Sequence, residues 1–195
     1  MNESFNRKYK KVLEILPDVA ECAQGKLILV GGTALALFYL KHRVSVDLDF
    51  VPVSGDEIKL KEELKGCLSK KGYRTMPGAF KNQFVIQFED TSIKVEVFEP
   101  GWKIKCIEEH VFSGISIKVA SLSDILEMKQ DAYSDRKEAR DLFDIFCILK
   151  GKGGSAMVKK LITKSGPPKG IEDIGAMALN QEDAAAFQKV VSDAS

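Results

Sequence analysis

The sequence predicts an α+β fold, and two observations support this prediction. The first two-thirds of the chain mixes short strand-like runs, apolar or alternating, with amphipathic helical runs. From about residue 121 onward the pattern becomes helical, interrupted by clusters of glycine and proline. We therefore predict a core at residues 1–120, followed by a helical C-terminal region at residues 121–195.

The elements of the core follow one another in a regular order. A helix is predicted over residues ~6–24, with an interruption at Pro17. Gly72 is predicted to end the helix at 57–71, because glycine readily adopts the backbone conformation that follows a helix. Strands are predicted at 27–30, 44–51, 84–88, 93–98 and 115–119, and a buried helix at 33–40.

The C-terminal region opens with Ser121–Asp124, which has the form of a helix capping box with Asp in place of the usual Glu. A further helix is predicted to begin at Ser134 and to run to about Lys150. Glycine and proline clusters divide the remaining residues into short helices.

Composition limits the class of protein. The chain is 45% hydrophobic, which is enough for a hydrophobic core. Its net charge of +1 does not indicate any class of binding partner. It has no apolar run of about 18 residues and no signal-peptide core, so neither a membrane span nor a membrane partner is expected. The four cysteines are widely spaced, which predicts reduced core thiols in a cytoplasmic protein.

The most informative stretch is Val46–Phe50, where two carboxylates alternate with apolar residues. On a strand, residues i and i+2 share a face, so Asp47 and Asp49 point the same way, about 6–7 Å apart. Paired carboxylates repel each other, and a hard divalent cation that also holds a nucleotide triphosphate would remove that cost. Asp-x-Asp alone is common in solvated turns, but the surrounding apolar run favours a metal-dependent phosphoryl or nucleotidyl transfer site.

Two further features could belong to the same site. Gly31 and Gly32 allow a tight turn and a close approach to phosphate, with Thr33 as the helix N-cap, although for Gly-Gly alone a plain tight turn is the favoured explanation. Glu96 would complete a three-carboxylate cluster if its strand lies beside that of the aspartates. The alternative is an exposed Glu96 that pairs with Lys94 on an edge strand.

Basic residues in the C-terminal region also have two interpretations. Arg136 and Arg140 share a helix face, and either Asp144 or a triphosphate could compensate their charge; a salt-bridged surface is the commoner case. Six lysines and no acid lie between Lys150 and Gly170. Such a stretch suits a nucleic-acid backbone, and it is also common on solvated surfaces.

Taken together, two motifs resemble those of AbiEii-type nucleotidyltransferases, the MenT-like toxins of type IV toxin–antitoxin systems. Between Gly31 and Phe50, the chain reads Gly-Gly-Thr and then His-Arg-x-Ser-x-Asp-x-Asp. Between Lys129 and Asp144, it reads Lys-x-x-Ala and then Arg-x-x-x-Arg-Asp-x-x-Asp. The order of the motifs matches the family. The chain departs from the wider superfamily in having Gly-Gly instead of Gly-Ser and a Glu as third carboxylate.

The resemblance implies the DNA polymerase β-like nucleotidyltransferase fold, a small mixed sheet flanked by helices. It implies an enzyme that moves a nucleotide from an NTP to an acceptor, with an RNA (a tRNA end) as acceptor and an antitoxin as a partner. Asp47, Asp49 and Glu96 would be catalytic and would bind Mg²⁺, with Mn²⁺ as an alternative. The implied nucleotide-binding residues are Gly31, Gly32, Thr33, Arg43, Ser45, Lys129, Arg136, Arg140, Asp141 and Asp144, the last two by orienting the cations. Small-molecule (aminoglycoside) and protein acceptors, and an inactive nucleotide-binding relative, remain alternatives.

Overall fold

The computed structural model describes residues 3–101 and 103–194, which form two compact units. The sheet unit comprises residues 3–34, 45–101 and 103–121, and the helical unit comprises residues 35–44 and 122–194. Segment 35–44 therefore groups with the C-terminal helices, although it precedes most of the sheet in sequence. In the described residues, no helix is both long and apolar enough to cross a membrane.

The sheet unit is built on a seven-stranded mixed sheet with the strand order β3-β4-β5-β2-β1-β7-β6. Strand β2 pairs in parallel with β5, and β1 in parallel with β7, while the other neighbours are antiparallel. This mixed sheet with helices confirms the predicted α+β class. The strands are β1 (Leu27–Val30), β2 (Leu48–Pro52), β3 (Arg74–Pro77), β4 (Gln83–Gln87), β5 (Ser92–Val97), β6 (Ile107–Phe112) and β7 (Ile115–Ala120).

Helices α1 (Glu3–Ala23) and α3 (Glu57–Lys70) pack on the sheet and on each other. A disulfide joins Cys22 of α1 to Cys67 of α3, with 5.7 Å between the Cα atoms. The prediction of four reduced core thiols is thus wrong for this pair, because the tertiary fold brings together two cysteines 45 residues apart. Of the other two, Cys106 is exposed and Cys147 is buried. The cysteines therefore no longer support the predicted cytoplasmic location.

The helical unit has its own core, built around α5 (Ala139–Ile148). Nearly every residue of α5 is buried, and Phe143 and Phe146 pack against Phe187 with ring centroids 5.3 and 5.8 Å apart. The other elements are a π-helix (Leu35–Leu40), a 3₁₀ turn (Ile171–Asp173), α4 (Leu122–Arg136), α6 (Gly154–Ser165), α7 (Ile174–Met177) and α8 (Gln181–Ser192). The short helix α2 (Gly31–Ala34), in the sheet unit, directly precedes the π-helix.

Three predicted boundaries were wrong, each for a tertiary reason. Helix α1 continues through Pro17, because its buried face packs well enough to outweigh one lost backbone hydrogen bond. Strand β2 begins at Leu48 instead of Val44, because the Val44 N–H donates to the carbonyl of Met177 (2.9 Å). Helix α4 does not stop before Ser134; it ends just before Lys137, whose φ of 58° is incompatible with a right-handed helix.

Strands β3 and β6 were missed by the sequence analysis. Both lie at the edges of the sheet, and most of their residues are exposed or half-buried. Edge strands with little burial need no continuous apolar pattern, so their sequences carry a weak signal.

Candidate active site

The carboxylates singled out in the sequence come together in the sheet unit. Asp49 lies in β2, flanked by Val30 on β1 and by Glu96 on β5, its register partner in the parallel pair. Asp47 directly precedes β2, and the side chains at positions 47 and 49 are both partly exposed, while Leu48 between them is buried. The strand pairing required for Glu96 to join the aspartates is therefore present.

A lysine side chain that the sequence did not single out for the site offsets part of the negative charge of this cluster. Lys94 Nζ lies 3.3 Å from Glu96 Oε2 and 3.8 Å from Asp47 Oδ2. Burial alone would lower the pKa of Lys94, but the Asp49, Asp47 and Glu96 carboxylates outweigh burial and raise it. Lys94 is therefore an ammonium at neutral pH. The sequence signal was its position two residues before Glu96, which places both side chains on one face of β5.

Two amide side chains hold the Glu96 carboxylate. Asn82 Nδ2 donates to Oε1 at 3.0 Å, and Gln83 Nε2 donates to Oε2 at 2.9 Å. Gln83 is buried on β4, where it lies opposite Glu96 in the antiparallel register. Each carboxylate oxygen thus has an amide donor, which restricts its rotamer. Sequence reasoning missed both residues, because neither belongs to a recognisable motif.

The diglycine turn makes room for Asp49. Gly31 has a φ of +72°, and a Cβ there would lie 2.9 Å from Asp49 Oδ2. Only glycine permits both this backbone conformation and this close approach. Gly32 and Thr33 are buried in α2, and the Thr33 hydroxyl donates to the backbone carbonyl of Asp47. The turn is thus built against both aspartates.

Ser45 extends this local network. Thr33 Oγ1 and Ser45 Oγ lie 3.0 Å apart, within hydrogen-bond distance. Because the Thr33 side chain is fully buried and already bonded to the Asp47 carbonyl, its hydroxyl fixes the approach to β2. Any phosphate contact from the turn would therefore come from backbone N–H groups and not from this hydroxyl.

The helical unit holds the second set of predicted residues, centred on the fully buried Asp144. Arg43 donates to both its oxygens, at 2.6 and 2.7 Å, and Lys129 Nζ lies 2.7 Å from Oδ2. His42 Nε2 lies 2.7 Å from Oδ1. Burial would raise the pKa of Asp144, but Arg43 and Lys129 outweigh it and hold the pKa well below its usual value. Burial lowers the pKa of His42, so the neutral ring donates to Asp144.

Asp141 is the second carboxylate of this cluster and pairs with Lys129 and Arg136. It is also fully buried and accepts from Lys129 at 2.9 Å and from Arg136 at 2.7 and 2.8 Å. Arg43, Lys129 and Arg136 are therefore all engaged by Asp141 or Asp144. This is the orienting arrangement of cations and carboxylates that the sequence motif suggested, within one unit of the protein.

Arg140 differs from its neighbours. Among the described residues it forms no ion pair, and its buried Nε has no hydrogen-bond partner. A buried guanidinium N–H without an acceptor is costly. The cost would disappear if an anionic ligand supplied the acceptor.

The donor set of the sheet unit suits a hard divalent cation. Asp47, Asp49 and Glu96 offer only oxygen ligands, which Mg²⁺ and Mn²⁺ prefer. As the side chains stand, no group of three or more His, Cys, Asp or Glu residues within the described ranges is arranged to hold a metal. The Lys94 ammonium already contacts two of the three carboxylates. The oxygen chemistry of these side chains therefore fits a hard divalent cation, while in this structure the cation that contacts two of them is the Lys94 ammonium.

Solved nucleotidyltransferase structures share this fold. JHP933 from Helicobacter pylori matches with a TM-score of 0.58 and 20% identity, over all of this chain and 92% of that one. MenT4, a nucleotidyltransferase toxin from Mycobacterium tuberculosis, matches with a TM-score of 0.57 and 16% identity, over 98% of this chain and 86% of that one. An antigenic nucleotidyltransferase-like protein from Paracoccidioides brasiliensis matches with a TM-score of 0.57 and 16% identity, over 94% of this chain and 93% of that one. These likenesses show the fold that the family resemblance implied.

Sequence comparison identifies the family. No curated protein matches the chain. The family model described as the nucleotidyl transferase AbiEii toxin of type IV toxin–antitoxin systems, however, matches residues 18–193. This match spans both motifs and nearly the whole chain, so the chain belongs to the AbiEii family of nucleotidyltransferase toxins.

Proposed function

We propose that this enzyme uses Mg²⁺, or Mn²⁺, to transfer a nucleotide from an NTP to an RNA acceptor, a tRNA end, as the toxin of a toxin–antitoxin pair. The observation that carries the metal-dependent part is the register of β2 with β5. It sets Asp49 opposite Glu96, with Asp47 two residues before Asp49. Two of the three carboxylates, Asp49 and Glu96, lie on paired strands, and Asp47 directly precedes β2, so the strand pairing fixes most of this set of oxygen ligands.

In this proposal Asp47, Asp49 and Glu96 hold the cation. When bound, the cation would offset the charge of the triphosphate. Glu96 also accepts the proton of the acceptor hydroxyl as that oxygen attacks the α-phosphorus and pyrophosphate leaves. The amides of Asn82 and Gln83 support this role because they keep the Glu96 carboxylate in one orientation.

Phosphate contacts come from two further groups. The first group is the set of backbone N–H groups of Gly31–Thr33, which belong to the turn that lies against Asp49. Arg140 neutralises charge on the leaving pyrophosphate, with the acceptor-free Nε as support. Lys129 and Arg136 act in the same direction through the electrostatic field of their cluster, although Asp141 already engages both.

The RNA acceptor is supported by a basic surface on the helical unit. Lys159, Lys160 and Lys164 are exposed on α6, and Lys152 is exposed just before it. Lys150, by contrast, pairs with Asp183 at 2.6 Å. Exposed lysines without an acidic neighbour in sequence suit the phosphate backbone of RNA. The family also suggests a cognate antitoxin as partner, and we place the activity in the cytoplasm, where NTP and tRNA are found.

A label-transfer assay tests the proposal. Each α-³²P-labelled NTP is incubated with the protein, Mg²⁺ or EDTA, and in parallel with tRNA, other RNA, protein substrates or an aminoglycoside. We expect label on RNA only with the metal, and none with Asp47→Asn or Asp49→Asn. Label on protein or on the aminoglycoside alone would contradict the RNA acceptor. Equal transfer in EDTA would contradict the metal site.

A separate experiment with a matched control tests whether the lysines of α6 bind the RNA. The triple variant Lys159→Gln/Lys160→Gln/Lys164→Gln should weaken RNA use and flatten its salt dependence, while NTP binding is unchanged. A matched triple variant at Lys8, Lys10 and Lys11 of α1 removes the same charge elsewhere. Equal loss in both variants would mean that net charge, and not the α6 surface, attracts the RNA.

A further inference from the structure

Lys94 lies between two carboxylates of the cluster formed by Asp47, Asp49 and Glu96. It lies on the same face of β5 as Glu96 and reaches towards the segment that precedes β2. Its ammonium contacts both Glu96 (3.3 Å) and Asp47 (3.8 Å), so one side chain links two of the three carboxylates. A structural salt bridge would need only one of these contacts.

The arrangement has an electrostatic consequence. Three carboxylates within one cluster repel each other, and a nearby cation offsets that repulsion. Lys94 supplies one positive charge from within the chain. A divalent cation bound by the same oxygens would have to displace that ammonium, because like charges at this distance repel.

We propose that Lys94 is a built-in counter-ion that holds Asp47, Asp49 and Glu96 together without metal and competes with the divalent cation for them. The inference rests on the metal site of the proposed function. Its consequence is that the wild-type protein binds the free metal ion weakly. Full occupancy then requires the nucleotide triphosphate, whose phosphate oxygens add ligands that the protein lacks.

The main experiment is a calorimetric titration of the full-length protein with Mn²⁺ alone, without nucleotide. Lys94→Gln should bind Mn²⁺ about three- to tenfold more tightly than the wild type, because the competing charge is gone. Lys94→Arg, which keeps the charge, should bind like the wild type. Lys59→Gln is the matched control, since it removes one exposed lysine from α3. Equal or weaker binding by Lys94→Gln would overturn the inference.

Asp47→Asn separates this inference from the proposed function. If Asp47→Asn binds Mn²⁺ as tightly as the wild type does, with and without NTP, the metal site itself is wrong. If Asp47→Asn loses metal while Lys94→Gln gains none, the metal site stands and the counter-ion role is wrong.

Thermal melts give a second measurement that does not depend on metal affinity. In EDTA, Lys94→Gln should melt below the wild type, because its carboxylates lack a counter-ion. Adding Mn²⁺ should restore the melting temperature, and so should the second substitution Asp47→Asn, which relieves the repulsion. If neither Mn²⁺ nor Asp47→Asn restores the melting temperature of Lys94→Gln, the variant has simply lost packing contacts, and the counter-ion role is contradicted.

Discussion

Replacing Gly31 by Ala tests whether the diglycine turn exists to make room for Asp49. The φ of +72° at Gly31 costs an L-residue about 1–2 kcal/mol in free energy of unfolding. In addition, the new Cβ would lie 2.9 Å from Asp49 Oδ2, so the carboxylate must rotate away. Because Asp49 Oδ2 is the end of a side chain, this rotation adds little to the loss of stability. The rotated Asp49 carboxylate should instead weaken the binding of metal and nucleotide.

Gly72→Ala provides the matched control. Gly72 also has a positive φ, +92°, but a Cβ there meets nothing within 4 Å. Both variants should therefore lose about 1–2 kcal/mol, which lowers the melting temperature by about 2–4 °C per kcal/mol in a chain of this size. Only Gly31→Ala should also lose Mn²⁺-dependent NTP binding and nucleotide transfer.

The assay pairs thermal melts with calorimetric NTP titration in Mn²⁺ and with label transfer. Gly31→Ala with wild-type binding and transfer would refute the reasoning, because Asp49 would then tolerate the added methyl group. Equal loss of binding in Gly72→Ala would refute it as well, since the functional effect would follow from stability alone.

Three further predictions concern the charged residues. Glu96→Gln should keep a near-normal melting temperature yet lose most transfer activity. One of the donors Asn82 and Gln83 keeps an oxygen to bond, and the other can turn its amide so that its own oxygen accepts from the new NH2 group. Wild-type activity would exclude a catalytic role. Arg140→Ala should weaken NTP binding by about 1.5–3 kcal/mol with little loss of stability. Asp144→Asn should instead lower the free energy of unfolding by about 3–5 kcal/mol, because it leaves buried cations unpaired. If calorimetry and thermal melts show normal NTP binding but low stability for Arg140→Ala, and the opposite for Asp144→Asn, both roles are contradicted. Burial lowers the pKa of His42, and Arg43 and Lys129 outweigh burial and hold the pKa of Asp144 well below its usual value. Their stability contributions are therefore present above unfolded values of about 6.5 and 3.9 and are lost as the pH falls below each. Melting temperatures measured from pH 8 to 3 should decline in two stages, and the lower stage should be smaller in Asp144→Asn but not absent, because the pKa of Asp141 is lowered as well.

Several features could be predicted from local sequence because they follow from short-range physics. The apolar or alternating runs of β1, β4, β5 and β7 reflect the two-residue period of a strand with one or both faces buried. The same period placed Asp47 and Asp49 on one side of their strand, and it placed Lys94 beside Glu96. The roles assigned to these residues in catalysis and metal binding remain predictions.

What the sequence did not predict depends on contacts between distant segments. The pairing of β2 with β5 was needed to bring Glu96 to Asp49, and the antiparallel neighbour β4 was needed to bring Gln83 to Glu96. The Cys22–Cys67 disulfide likewise depends on the packing of α1 against α3. No local pattern encodes such partners.

The basic motif illustrates the same division. The sequence predicted that Arg136 and Arg140 share a face of one helix. That prediction was wrong, because α4 ends at Arg136, the backbone turns at Lys137 (φ 58°), and Arg140 lies in α5. Only the tertiary structure decided that Lys129 and Arg43 share the buried Asp144, while the Nε of Arg140 is buried without an acceptor. The reason is physical: a buried carboxylate recruits whichever cations the fold brings within reach, and that choice depends on packing between segments far apart in the chain.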